Sequence, residues 1–184
     1  MLGVYDFNGH YDWTFAWLDA RGGDEALRDY WVNAISRDSQ AHARKEFARG
    51  FPGMSDYWGH TLAEEGAGYT SGQTESWSGK PVFRLDMQEC PSKGFLLRNG
   101  LDAGTDYCDH CIGWVGPAMA DAGFVVDHEH DHAAHCWWEI RPIDDQAPPS
   151  AAGELGPEDV RLRYDWAAGR VDRFGRTMDP RDND

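Results

Sequence analysis

Apolar positions recur at helical spacing from Tyr11 to about Glu65: Trp13, Phe15, Ala16 and Trp17, then Leu27, Tyr30, Trp31 and Ile35, then Phe47, then Trp58 and Leu62. Residues spaced this way share one side of a helix, so the stripe predicts core. Polar and glycine-rich breaks at "RGGD", "SRDS" and "GFPGMSD" divide the stretch into three or four short helices, with Asp24, Ser39 and Ser55 as expected caps. The pattern then changes. "EEGAGYTSGQTESWSGKP" is rich in Gly, Ser and Thr and predicts a loop or hairpin. In "VFRLDMQEC", Val82, Arg84 and Asp86 alternate with Phe83, Leu85 and Met87, the period of a half-buried strand whose apolar face is the odd-numbered set. Cys90 ends that strand, before Pro91.

Next, "SKGFLLRNG" predicts a short helix or turn closed by Gly100, and "CIGWVGPAMADAG" a helix ended by Gly123, with Pro117 tolerable only near the first turn. "FVVDHEHDH" and "CWWEIRP" predict two strands, or one interrupted by "AAH". The expected fold is therefore α+β, with N-terminal helices packed on a small, mostly antiparallel sheet. Residues 1–145 are expected to be a single globular domain, divided into a helical lead (1–68) and a Cys/His region (69–145). From Asp145 the composition shifts to "DDQAPPSAAGELGPED", which predicts a linker over 146–160. A C-terminal arm follows over 161–184, with Tyr164, Trp166 and Phe174 as apolar anchors on the domain or on a neighbouring subunit, a route to a homo-oligomer. Its last residues are expected to be disordered.

Composition narrows the function. A chain of 184 residues that is 41% hydrophobic, with nine Trp, has enough bulky apolar groups to fold and suits one domain. A net charge of −15 argues against nucleic acid and anionic membrane surfaces, which attract basic patches. No apolar run approaches the ~20 residues of a membrane span, and "MLGVYDFNGHYDW" lacks the basic head and apolar middle of a signal peptide. The expectation is a soluble, cytoplasmic protein acting on a small molecule. In a reducing compartment its four cysteines are expected to be thiols or ligands rather than disulfides.

Two stretches carry candidate chemistry. In "YCDHC", Cys108 and Cys111 open a predicted helix, where two thiols three residues apart can bind one ion and the helix N-terminus favours thiolate. Zinc or iron ligation, a redox pair and unliganded thiols are the competing readings. In "HEHDHAAHC", an extended chain would put Phe124, Val126, His128, His130 and His132 on one face and Val125, Asp127, Glu129 and Asp131 on the other. Three imidazoles in register suit a metal; a solvated strand end is the plainer alternative. "HEHDH" is one residue short of the His-x-His-x-Asp-His pattern of metallo-β-lactamase-type hydrolases, and His-Glu-x-x-His is absent. Cys90 and Cys136, at strand ends, could approach the Cys108 pair, or serve as core thiols.

Together, "ECPSKGFLL", "YCDHCIGW", the Gly123-Phe124 turn and "HCWWEI" resemble the pattern of the L-2-amino-thiazoline-4-carboxylic acid hydrolase-like family over about residues 10 to 141. Cys90-Pro91, Cys108 with Asp109, and Cys136 match its blocks. The chain departs from it in its His-rich stretch and in "CWWEI", which stands where Cys-Asp-Phe is common. The layout is also similar to small-molecule sensing domains related to four-vinyl reductase. The resemblance implies a helical lead on a small sheet with a Cys-lined site between them, and hydrolytic opening of a cyclic amidine-like C–N bond.

The resulting expectation is a metal-dependent hydrolase or lyase acting on a small, polar, nitrogen-containing metabolite. Cys108, Cys111 and His130, with His128 or Cys136, would hold zinc, which suits mixed thiolate and imidazole donors. Glu129, Asp109 or His132 would be the acid/base, with Cys90 as an alternative nucleophile and a wall of Trp114, Trp137 and Trp138. The alternative function is a non-catalytic sensing domain with a structural Cys/His metal site. Iron, or an iron–sulfur cluster on all four cysteines, is the alternative to zinc; unliganded thiols would need no cofactor.

Overall fold

The helical lead is broken close to where its punctuation predicts. In the computed structural model, which describes residues 3–76, 78–101, 107–131 and 133–145, α1 spans Gly3–Asp29 and passes directly into a π-helical segment, Tyr30–Ser39. The break expected at "RGGD" is present within that span: Gly23, at φ 61° and ψ −159°, leaves the helical conformation and separates two helical stretches. The π-helical segment ends within "SRDS" at Ser39, as expected, but Ser39 hydrogen-bonds the Ile35 carbonyl and the next helix is entered through Gln40. Then come α2, Ala41–Phe47, and α3, Phe51–Glu64. α3 is entered at Gly50 with Pro52 in its first turn, which leaves Ser55 inside the helix; Asp24 directly follows the break at Gly23.

The aromatic stripe is core only in part. Phe15, Leu27, Trp31 and Ile35 are buried against Leu96 and Tyr107. Trp13 and Trp17, 62% and 53% exposed, share the opposite face of α1 because they are four residues apart. Among the described residues, no helix is long and apolar enough to cross a membrane.

The sheet is antiparallel throughout, in the order β1-β2-β4-β3. The Gly/Ser/Thr stretch forms a hairpin arm, β1 (Gly68–Glu75), paired with β2 (Pro81–Glu89). The two other expected strands are both present, as β3 (Phe124–His130) and β4 (Cys136–Pro142). Between β2 and β3 lie α4 (Pro91–Asn99), closed by Gly100 at φ 64°, and α5 (Asp109–Asp121). Pro117 falls in the interior of α5, against the expectation of a first-turn place. The Gly113 carbonyl loses its usual helical donor there, but Val115, Ala118 and Met119 on the same helix are buried in the core.

The inner face of the sheet carries Phe83, Leu85 and Met87 of β2 and Trp138 and Ile140 of β4. These pack with Phe47 of α2, Met54 and Trp58 of α3, and Met119 of α5. Trp58 and Phe83 stack with centroids 5.6 Å apart. β2 is not half-buried as expected: Val82 on its other face is also buried, as are Trp137 and Glu139 on β4. Together these elements give the expected α+β architecture. The expected linker and arm, residues 146–184, lie outside the described residues.

Close approach of two elements fixes one glycine. A Cβ on Gly113 of α5 would lie 2.5 Å from the Trp31 ring of the π-helical segment, whereas one on Gly116 would meet Ile112 at an ordinary 3.6 Å. Gly113→Ala is expected to lower stability by about 1–3 kcal/mol, the usual range for forcing atoms into a packed core. Gly116→Ala should be close to neutral. Urea unfolding of both variants, compared by midpoint, checks the difference.

Candidate functional site

The end of β2 and the turn before β4 meet through the Cys90 N–H, which donates to the Ala134 carbonyl at 2.8 Å. Cys90 is extended at φ −65°, ψ 123° and caps α4, its Sγ receiving the Lys93 N–H at 3.4 Å. Cys136 opens β4 opposite Met87 and His130, and the Trp138 indole N–H points to its Sγ at 3.3 Å. Cys111 lies in the first turn of α5, with Cys108 just before that helix. The four thiols feel one another's charge, so sequence positions 90, 108, 111 and 136 are brought to one place.

That place borders a cavity of about 240 Å³ between the helical lead and the sheet. Cys90, Cys111 and Cys136 line it with Glu65, His110 and Tyr57. Aromatic side chains, among them Trp58, Trp114 and Trp138, form much of the remaining wall. Its volume suits a small metabolite, below the range typical for drug-sized ligands. Of the expected tryptophan wall, Trp114 and Trp138 are present. Trp137 is not part of it: Cys136 and Trp138 face the cavity, so the residue between them on β4 must point to the other side of the sheet, where it is buried opposite Asp86 and Glu129.

The His-rich stretch is a strand end and its turn. His128 stacks on Trp138 with centroids 3.8 Å apart, on the inner face as the alternation predicts. The His130 Nε2–H donates to Asp109 Oδ1 at 3.0 Å, and both residues are buried, which clamps the end of β3 to the first turn of α5. Asp131 organises the turn: its Oδ1 accepts the N–H groups of Ala133 (2.7 Å) and His135 (3.2 Å), and its Oδ2 accepts His135 Nδ1–H at 2.6 Å. Glu129 is buried on the outer face, away from the cavity. His132 lies outside the described residues. Among the described residues, no three His, Cys, Asp or Glu side chains stand in an arrangement that could hold a metal ion. The thiols are soft donors that suit zinc chemically, but the expected imidazole partners are engaged with Asp109 and Trp138.

Burial raises the pKa of all four thiols, far above the usual range at Cys108, Cys111 and Cys136 and less so at Cys90, where the N–H groups of Lys93, Ser92 and Gly94 oppose it. Glu65 has its carboxyl raised by burial and by the neighbouring Glu64, and its charge in turn raises Cys90. Burial lowers His110 to about 4, although its Nδ1–H donates to the Tyr107 carbonyl at 2.5 Å. Its ring lies 3.7 Å from Cys111 Sγ, measured at Nε2. Neither Glu65 nor His110 is among the residues expected from the sequence. Glu65 ends the helical lead far from any motif, and His110 reads inside "YCDHC" as a spacer between two cysteines.

Because His110 titrates near 6.5 when free and about 4 here, the unfolded chain takes up its proton first as pH falls. The stability held by neutral His110 is complete above pH 6.5 and is lost as pH falls from 6.5 toward 4. Denaturant unfolding across that window should show a steeper decline for the wild type than for His110→Gln; parallel curves would contradict a buried neutral ring. Compared with protein-family models, curated proteins and solved structures, the chain finds no match in any of the three.

Proposed function

We propose that the cavity is a thiol-dependent active site for hydrolysis or lysis of a C–N bond in a small, polar, nitrogen-containing metabolite, with Cys90 as nucleophile. The observation that carries this reading is the position of Cys90, a helix-capping thiol that lines the cavity beside Glu65. Thiolate formed at Cys90 would be favoured by the backbone N–H groups at the start of α4, while burial holds the resting group as thiol. A base is therefore needed, and Glu65, a lining carboxylate shifted upward by burial whose charge reaches Cys90, is the residue we assign to accept the proton. Sγ attack on an amidine-like or amide carbon forms a C–S bond. The proton held by Glu65 then passes to the departing nitrogen, and water releases the product and restores the thiol.

This reading keeps the hydrolase chemistry implied by the resemblance and routes it through Cys90. Zinc on the neighbouring thiols is the second reading, favoured by the gathering of Cys90, Cys108, Cys111 and Cys136 at one end of the cavity. A sensing domain would share the same cavity without turnover.

Ring opening of 2-amino-thiazoline-4-carboxylic acid and of cyclic amidines lacking the carboxylate, read by mass spectrometry, tests the proposal. Cys90→Ser should lose at least about a thousandfold in turnover, and Glu65→Gln about a hundredfold, the usual scale for a nucleophile and for an acid/base group. Iodoacetamide should modify Cys90 ahead of Cys108, Cys111 and Cys136, with a rate that climbs through alkaline pH. Unimpaired turnover in Cys90→Ser would sink the thiol reading. Stoichiometric zinc that disappears with activity in Cys108→Ser would move the chemistry to the metal.

A further inference from the structure

The cavity beside Cys90 carries a carboxylate and many aromatic rings, and among its described lining residues there is no lysine or arginine. The carboxylate is Glu65. Tyr11, Tyr57, Trp58, Tyr107, Trp114 and Trp138 supply the rings, and Trp58 meets Trp138 at 46° with centroids 6.5 Å apart. His110 adds no positive charge at neutral pH, because burial lowers it to about 4. The Tyr57 phenol, pushed up to about 12 by burial and by the charge of Glu65, also stays neutral.

Two other features could have welcomed an anion, and both are turned elsewhere. The N–H groups at the start of α4 are directed at the Cys90 sulfur. Lys93 is buried but does not line the cavity: its Nζ lies 6.0 Å from the centre of the Tyr107 ring, and its charge acts on Cys108, which is not a lining residue either.

We infer that this cavity takes an organic cation of the amidinium or guanidinium class, without a carboxylate, held by Glu65 and the aromatic wall. An anion entering here would lose water beside Glu65 with no guanidinium or ammonium in the described wall to replace it, which is costly. A cation gains both the carboxylate and the attraction of aromatic faces, each stronger once water is excluded. The net charge of −15 also draws cations toward the molecule from a distance. A cation beside Glu65 would oppose the effect of burial and hold the carboxyl ionised, the form that takes the Cys90 proton. Within the C–N chemistry proposed above, on which this inference rests, the cavity selects the cyclic amidine that lacks a carboxylate over its 4-carboxylate.

Titration calorimetry of the full-length chain with benzamidinium, benzamide and benzoate, three probes of similar shape and different charge, tests this at neutral pH. About 0.15 M salt screens the general field of the chain beyond roughly 8 Å. Benzamidinium should bind at one site, at least about tenfold tighter than benzamide, with benzoate weakest. Glu65→Gln should remove the advantage of benzamidinium while benzamide still binds. Glu64→Gln, which deletes a charge from the exposed neighbour, should keep it. Benzoate bound as tightly as benzamidinium would overturn the inference, as would an advantage that survives Glu65→Gln or no binding of benzamidinium at all. The thiol reading fails separately: cation preference beside unimpaired turnover in Cys90→Ser would sink the nucleophile and keep the ligand class, whereas benzoate binding beside Cys90-dependent turnover would do the reverse.

Discussion

The backbone hydrogen bond from Cys90 to Ala134 holds the site end of the molecule together. It joins the last residue before α4 to the turn that connects β3 and β4, two points far apart in sequence. Without it, β2 could pair with β4 yet leave the start of α4 free to swing away from Cys136. With it, the α4 cap, the β4 opening and the β3–β4 turn share one small volume. The turn itself is held by Asp131, whose carboxylate satisfies two backbone donors, so that Ala134 can keep a left-handed φ of 77° that a non-glycine residue adopts at a cost of about 1–2 kcal/mol.

This dependence changes the meaning of the histidines. In sequence, three imidazoles at period two beside a Cys-x-x-Cys look like donors in search of an ion. In the fold, His130 reaches Asp109 and His128 covers Trp138, so each contributes to the placement of α5 against β3 and of β4 beneath the cavity. An imidazole that spans two elements through a buried carboxylate positions the first turn of α5, and with it Cys108 and Cys111. The histidine face is thus tied to the thiols through packing and a buried hydrogen bond.

Much of the architecture was legible because it depends on local periodicity. β2 and β3 announce themselves by alternation and Gly100 by its place after an apolar run, whereas the pairing of β2 with β4 spans two helices and β3 and has no local signal. What escaped depends on contacts distant in sequence. The close approach of the π-helical segment to α5 brings Trp31 against Gly113, a contact that no local window of sequence contains. The burial of β2 on both faces depends on what covers Val82, and its alternating charges point to solvent instead. Glu65 has no motif at all; its place beside the thiols comes from where the end of α3 falls relative to the α4 cap.

The same constraint accounts for the different states of the four thiols. Burial disfavours the charged form of each, but only Cys90 receives the N–H groups of a helix start at its sulfur. Cys136 receives one indole donor, and Cys111 has a neutral imidazole beside it rather than a cation. A thiol whose charged form is solvated by several backbone dipoles needs less help from a base than one with a single weak donor. The cluster is therefore unequal by construction: the sulfur of the residue tied to Ala134 is the one that helix N–H groups stabilise in its charged form.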